Sequence, residues 1–518
     1  MGQLRTSLWT LAAANLAAAG MIAVMTPACD DEPEGECSIE EGTGCANGQE
    51  CLLGADDQTH CACSVDADTG CAGGQQCLEG PDGEPACYCN TTTEGGCEAG
   101  LVCEEVVGGY PACFAPVTLG GMVFDLATDA AIEGALVVAR DANFAAVSGV
   151  AVTDASGSYV LTVPVPRNAD GSLSEALVFL RADAQAYLTF PMAPRVALPI
   201  DMSQASGDPL HLESSATDIG LIEIADPDGL GTITGTVVAE VPIGTLVVAG
   251  GATEAGGGVT GIADFDGTYT VFNVPAGSVA VRGYKAGLQL TSATAEVAAS
   301  AVTEGVDLTA VGEAASVVSG KVEIVNPGDG SDTSVILVVD ETFNPTAARG
   351  EAPPGLRVAG VDGDFEIPFV PDGNYVVLAA FENDFLVRDP DTSIGGTGLV
   401  RITVEGGSLA LSDGFKITGS LDEPSPDNEE LVSGPVELSW NDDSGEDHYE
   451  VRLYDAYGNL VWEKTDVPGV SGDARVVVTY EGDPLSSGTL YQFRAVSIKN
   501  GGSPISITED LRGVFLYQ

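Results

Sequence analysis

"ADFDGTYTVFNVPAGSVAV" (263–281) and "VDGDFEIPFVPDGNYVVL" (361–378) align without a gap from their turn glycines onward. Gly267 falls on Gly363, Tyr269 on Phe365, Pro275 on Pro371 and Gly277 on Gly373. Each stretch states the same mechanics: an Asp/Gly turn reverses the chain, an aromatic enters the core of an alternating strand, and a Pro-x-Gly turn starts the next strand. "TDASGSYVLTVPVP" (153–166) is an earlier copy of the first half. From residue 117 onward the chain is rich in Val, Gly and Ala, in short alternating runs such as "SYVLTV" (158–163), "NYVVLAA" (374–380) and "YEVRLYD" (449–455). No long stretch there carries a helical period, so β-sandwich domains with little helix are expected.

The opening of the first copy, "GMVFDLATDAAIEGALVV" (121–138), supplies Gly121, Val123, Asp125, Thr128, Ile132, Gly134, Ala135 and Val137. On these residues it resembles the carboxypeptidase regulatory-like family, a transthyretin-like seven-stranded sandwich, with Ala131 where that family often has proline. The resemblance implies an extracellular scaffold or binding role with no catalytic apparatus. Related pilin-like sandwiches form Lys–Asn isopeptide bonds beside a Glu. Asn273 occupies the region of that Glu and the chain has only five lysines, so no isopeptide is expected. Beyond "LDEPSPDNEE" (421–430), "VELSW" ending in Trp440, "HYEVRLYD" and "LSSGTLYQFRAVSI" resemble a fibronectin type III domain. Leu485, Thr489, Tyr491 and Phe493 match its tyrosine-corner spacing, which places Trp440 and Tyr491 in the core.

The N-terminal part is organised differently. Cys37, Cys45, Cys51 and Cys61 recur 26 residues on as Cys63, Cys71, Cys77 and Cys87, then as Cys89, Cys97, Cys103 and Cys113. A glycine follows the second cysteine by three residues in each module (Gly48, Gly74, Gly100). So short a unit cannot bury enough surface to fold unaided, and disulfides within each module are expected, with three connectivities open to each. Zinc is the competing reading, but the usual Cys-x2-Cys pair is missing. The modules resemble short cysteine-rich units such as those of the Dickkopf N-terminal region. Disulfides require export, and "MGQLRTSLWTLAAANLAAAGMIAVMTPA" (1–28) has the plan of a signal peptide, although Leu8–Met25 is also long enough to be weighed as a membrane span. Thirteen cysteines leave Cys29 over. "TPAC" resembles the lipobox of bacterial lipoproteins, with Thr26 replacing the usual aliphatic residue, which implies lipidation at Cys29 and anchoring in the outer membrane or at the cell surface.

The fold class expected is therefore mostly β, with small disulfide-rich modules followed by a tandem array of Ig-like or transthyretin-like β-sandwiches. Its divisions are a signal peptide (1–28), a lipid-anchor linker (29–36), three cysteine-rich modules (37–114), sandwiches at 115–226, 227–312 and 313–420, an acidic linker (421–430) and a fibronectin type III-like domain (431–518). With 77 acidic against 19 basic residues the chain repels phosphate backbones, so nucleic acid is not a partner to expect. The acidic turns "DPDGLG" (226–231) and "NPGDGSD" (326–332) lack a full EF-hand ligand series; calcium stays open as their ligand, and no other cofactor is expected. Three histidines (His60, His211, His448) and no Gly-x-Ser-x-Gly, His-Glu-x-x-His or Gly-x4-Gly-Lys motif give no catalytic residues to name. The leading reading is a non-enzymatic exported lipoprotein, a cell-surface or periplasmic scaffold or adhesion protein whose partners are the membrane and an unidentified surface protein or polysaccharide. Two alternatives stand beside it: a carbohydrate- or protein-binding accessory of an extracellular hydrolase system, which an exposed aromatic row would favour, and an unrecognised hydrolase.

Overall fold

The computed structural model describes residues 37, 45, 48–53, 59–65, 69–81, 83–91, 95–192, 195–250, 258–344, 349–379, 384–391, 396–412, 414–443, 445–470, 475–499 and 502–518. The readings placed on 1–28, on 29–36 and on Cys29 lie outside these residues. Regular structure among them is strand, apart from two short 3-10 turns, Met202–Gln204 and Asp340–Thr342. The chain divides into two compact units, Met1–Tyr88 and Cys89–Gln518.

In the first unit each cysteine module is a hairpin stapled twice. Gln49–Leu53 pairs with Thr59–Cys63, and Gln76–Glu79 with Pro85–Tyr88, both antiparallel. The first cysteine bonds to the third and the second to the fourth: Cys37–Cys51, Cys45–Cys61, Cys63–Cys77 and Cys71–Cys87. The glycine repeated after the second cysteine takes a left-handed conformation, with φ of 84° at Gly48 and 80° at Gly74, where a side chain would be strained.

The third module repeats this pairing through Cys89–Cys103 and Cys97–Cys113 but belongs to the second unit. The reason is local. Its hairpin (Val102–Glu104 with Ala112–Phe114) is bonded to the first sandwich by Val107 N–H to Arg167 O (2.7 Å) and Arg167 N–H to Glu105 O (2.8 Å). Glu104, fully buried, forms an ion pair with the Arg167 guanidinium, which also stacks on Phe114.

Three two-sheet sandwiches of one plan follow. In the first, Val117–Asp125 lies between Ser158–Val163 (antiparallel) and the short parallel strands His211–Leu212 and Ile219–Leu221; the facing sheet runs Ile200–Asp201, Leu177–Asp183, Leu136–Arg140, Ala151–Val152. The second repeats it with Leu230–Val238 beside Thr268–Pro275 and Leu308–Glu313, faced by Leu246–Gly250 and Gly277–Tyr284. The third does so with Ser316–Val325 beside Asp364–Val370 and Phe415–Gly419, faced by Thr333–Val339 and Gly373–Ala379. The turns that the sequence alignment matched therefore occupy equivalent corners of copies two and three.

A second shared device lies across the strands. Gly121 stands opposite Tyr159, Gly235 opposite Tyr269 and Gly320 opposite Phe365. In the first two copies the tyrosine hydroxyl donates to a carbonyl just before the parallel strand, Thr217 O and Val306 O, and a Cβ on the glycine would land on that same carbonyl. The glycine thus makes room for the junction of three strands. In the third copy the phenylalanine has no hydroxyl, and its ring occupies the space at 2.8 Å from where a Cβ on Gly320 would sit.

The strands Leu246–Gly250 and Thr333–Val339 are buried along their whole length, on both faces. The outward face of the first packs with the core of the third sandwich, where Leu246, Val248 and Tyr284 join Val335, Leu337 and Tyr375. Continuous apolar runs in these strands reflect burial between layers, whereas the alternating "SYVLTV" has one solvated face.

The C-terminal sandwich pairs Glu437–Asn441 with Arg475–Thr479, facing a larger sheet that contains His448–Asp455, Leu460–Pro468 and Thr489–Lys499. Trp440 is fully buried against Tyr449 and Phe493, and the buried Tyr491 accepts the Ser486 N–H (2.9 Å). The acidic stretch 421–430, expected to be a free linker, is folded in. Leu421 is buried in the core with Leu438 and Trp440, its N–H donates to Ile507 O (2.9 Å), Ser425 bridges Ser439, and Asp427 accepts the Gly513 N–H (2.6 Å). One leucine and a carboxylate that satisfies a backbone donor outweigh the polar composition of the segment.

Replacement of Gly235 by Ala is expected to destabilise the second sandwich by about 3 kcal/mol through overpacking. Tyr269→Phe is expected to cost about 1 kcal/mol through its lost hydrogen bond. Urea unfolding of the two variants, with the Gly235 change the costlier, checks the order.

Candidate functional site

Strands of this class alternate, so a charged residue in an apolar strand has to point into a face that something else covers. Arg140 ends the strand "LVVAR" and Arg181 sits within "LVFLRAD" of the first sandwich; they are 3% and 1% exposed. Arg181 donates through Nε and Nη2 to both oxygens of Asp183 (2.6 and 3.0 Å), and through Nη2 to the carbonyl and hydroxyl oxygens of Thr260 in the second sandwich (3.1 and 2.7 Å). Its Nη1 lies 2.8 Å from Glu351 Oε1 of the third sandwich, an ion pair without hydrogen-bond alignment. Arg140 Nη1 donates to the other Glu351 oxygen (2.8 Å). Two guanidinium groups and two carboxylates therefore balance at one point where three sandwiches meet.

The electrostatics follow from this sharing. Burial alone would raise the Glu351 pKa, but Arg181 and Arg140 together hold it below the ordinary value. Burial lowers the pKa of Arg140, and Arg181 adds to that effect, so Arg140 depends on Glu351 for its compensation. A second ionic joint ties the third sandwich to the C-terminal one: Arg349 pairs with Asp510, which also accepts from Arg494 Nη1 (2.9 Å). Arg349 and Arg140 both stack on the ring of Phe144, which in turn stacks on Phe179 of the first sandwich.

Nearby, the Phe385 N–H donates to Glu509 Oε1 (2.7 Å). Burial, with Asp384 adding to it against the pull of that hydrogen bond and of Arg512, pushes the Glu509 carboxyl up to about 7. The C-terminal sandwich also touches the first one: Arg195 donates to Tyr457 O, Val196 N–H to Gly458 O (3.1 Å), and Leu490 N–H to Ser215 Oγ (2.8 Å).

Successive sandwiches share a further joint. A β-bulge interrupts Thr268–Pro275 at Asn273 (φ 58°) and Asp364–Val370 at Phe369 (φ 60°). The Asn273 side chain accepts the N–H of Ala186 (2.9 Å) and donates to the carbonyls of Ala184 (2.9 Å) and Tyr187 (2.8 Å) in the preceding sandwich. The Phe369 carbonyl accepts the N–H of Gly287 (2.8 Å) from its own preceding sandwich. Ala186 and Gly287 follow equivalent strands and are both left-handed, with φ of 68° and 76°.

Of the residues singled out in the sequence, the twelve module cysteines are paired as disulfides, and Cys29 lies outside the described residues. The sets of three metal-ligand side chains that come together among the described residues are all drawn from these bonded cysteines, which offer no thiolate. The three histidines are dispersed: His60 faces Glu84 (3.3 Å), His211 bonds Thr118 (2.9 Å) and His448 begins a strand. The adjacent acids Asp442 and Asp443, in a chain where such pairs are common, hold a loop, accepting from the Tyr449 and Ser497 hydroxyls (2.9 Å each). Arg140, Arg181, Asp183, Glu351 and Glu509 were not foreseen. The available signal was Arg-x-Asp on one face of an otherwise apolar strand in a chain that is poor in arginine.

No family model matches the chain, and no curated protein matches it. Similar solved structures include the Bacillus anthracis TIE protein, at 12% identity with 75% of this chain and 66% of that chain covered and a TM-score of 0.14. This chain thus spans just under two thirds of that protein. A DUF3823 family protein from Bacteroides ovatus is similar at 11% identity, with 39% and 98% covered and a TM-score of 0.20. The Streptococcal ancillary pilin is similar at 12% identity, with 58% and 98% covered and a TM-score of 0.15. Likenesses of this degree bear on neither activity nor partner.

Two outcomes are expected. Glu351→Ala strands the buried Arg140 guanidinium, leaves Arg181 with Asp183 alone, and should cost about 3 kcal/mol, splitting the calorimetric transition as the sandwiches uncouple. Glu509→Gln should act in the opposite sense and depend on pH. The folded carboxyl binds its proton up to about 7, against an ordinary value of 4.5, so the stability that protonation contributes is full below about pH 4.5 and lost by about pH 7. The Gln variant should therefore unfold at higher urea than the parent at pH 8 and show a flatter profile between pH 5 and 8.

Proposed function

We propose that the protein is a non-enzymatic scaffold of the bacterial cell surface or periplasm, exported through its N-terminal segment and held to a membrane by lipid on Cys29. The observation that carries this reading is the ionic joint at Glu351. The best-buried charges of the sandwiches, Arg140 and Arg181, are engaged in locking one domain to the next, as a rigid spacer requires. Disulfides in every cysteine module support an oxidising compartment. No helix among the described residues is long and apolar enough to cross a membrane.

The sandwiches serve as a compact, braced body rather than a string of independent beads, because the C-terminal sandwich bonds back to the first and third. Among the described residues, the exposed phenylalanines do not form the aromatic row that would favour the accessory-binding reading. Phe265 lies against Gly149, Phe369 beside Gly287 and Phe385 beside Glu509, each at a different joint.

The anchoring is tested by detergent-phase partition of wild type and Cys29→Ser expressed in bacteria. The expected result is wild type in the detergent phase and the variant in the aqueous phase, with module disulfides intact in both. Both in the detergent phase would mean an uncleaved apolar span, and both in the aqueous phase would remove the lipid.

A further inference from the structure

One cleft of about 480 Å³ is bounded by the third cysteine module, the first sandwich and the second, and the edge of the third reaches it at Pro354. Val147, Val241, Pro242, Ile243 and Phe265 belong to the apolar part of a wall that also has a large polar part. Lys285 lines it as well, one of only five lysines in the chain. The Lys285 Nζ donates to Val241 O (2.9 Å) and Ile243 O (2.7 Å). We propose that this cleft is a carbonyl-capture site, in which the Lys285 amine condenses with a neutral aldehyde or ketone of apolar body to form an imine.

The geometry supports the step in three ways. Two carbonyl acceptors match the two hydrogens of a neutral amine, so the uncharged form is fully bonded and its lone pair is left on the side away from those carbonyls. The aliphatic stem is fixed by the same bonds, which removes most of the rotational freedom that an exposed lysine would lose on reaction. The apolar side chains of the wall give an aldehyde of apolar body a surface to pack against beside the amine.

Burial without a charged neighbour to offset it pushes the Lys285 ammonium down to about 8. The carboxylates that share the cleft are Glu104, already paired with Arg167, and Glu105 and Glu240; none contributes to the Lys285 shift. They disfavour an anionic ligand, as does the whole chain at a net charge of −58, which is why the ligand class is a neutral carbonyl. In the step itself, the amine nitrogen attacks the carbonyl carbon and a carbinolamine forms. The carbonyl oxygen then leaves as water, carrying one hydrogen from the amine and one from solvent. The resulting iminium keeps one N–H, enough to retain one of the two backbone acceptors.

The test is reductive trapping on the intact oxidised protein. Benzaldehyde with cyanoborohydride is the probe, 4-carboxybenzaldehyde the anionic comparison, and peptide mapping reads each lysine. Lys285 is expected to label about tenfold faster at pH 7.5 than Lys321, Lys416, Lys464 or Lys499, because burial leaves a sizeable share of it unprotonated and two backbone carbonyls hold it in place. Its rate should level off above about pH 8. The anionic aldehyde should label Lys285 several-fold more slowly than benzaldehyde. Lys285→Arg should remove the fast phase and leave the other four rates unchanged. Even labelling of all five lysines, or a Lys285 rate that still climbs through pH 10, would overturn the proposal, and neither result depends on whether any variant folds.

Discussion

The carboxylate of Glu351 is shared between two arginines, and without it Arg140 loses its ion-pair partner while Arg181 is left with Asp183 alone. A buried ion pair adds little to stability compared with apolar residues of the same shape, but breaking one is costly because the remaining charge has no solvent to turn to. The pairing therefore acts less as an attraction than as a condition: the three sandwiches are either together in this arrangement or must hydrate Arg140 and Arg181 anew. Around that condition the apolar layers can be extensive without being ambiguous. Strands such as Thr333–Val339, buried on both faces, would accept many hydrophobic neighbours, and the fixed positions of the guanidinium groups select one.

The two ways of holding a small structure together meet at Cys89. Each cysteine module has hardly any core, and its hairpin persists because two bonds shorten the loops of the unfolded chain. The sandwiches have no cysteine and rely on burial, on the Gly–aromatic corner and on hydrogen bonds at their joints. The third module draws on both. It keeps its disulfides yet places Glu104 in the body of the first sandwich, where the carboxylate and Arg167 remove each other from water.

Much of the fold was legible because turns are written locally. The Asp/Gly turn at Gly267 and the Pro-x-Gly turn before Gly277 need particular backbone angles that few other residues adopt, so the strands between them could be placed from sequence. What was not legible depends on residues far apart in the chain. The role of Gly235 follows from the Val306 carbonyl, which a parallel strand brings in. Disulfide pairing depends on which cysteines a hairpin sets face to face. The stretch 421–430 reads as a linker by composition, yet the single side chain of Leu421 decides otherwise. Of the joints, only the Arg-x-Asp of "LVFLRAD" left a trace, and its partner in the third sandwich could not be guessed.

The left-handed bulges at Asn273 and Phe369 bear on how such a chain lengthens. Each lies in the part of its sandwich that faces the copy before it, and each meets a left-handed residue, Ala186 or Gly287, at the end of an equivalent strand. Plug and socket are thus both encoded within a single repeat, the plug toward its predecessor and the socket toward its successor. A gene segment that duplicates one sandwich in tandem delivers a matched joint along with the new domain, so the array can grow by copying without an interface having to be found afresh. The contact is also free to diverge afterwards, since the Asn273 joint uses a side chain where the Phe369 joint uses only backbone.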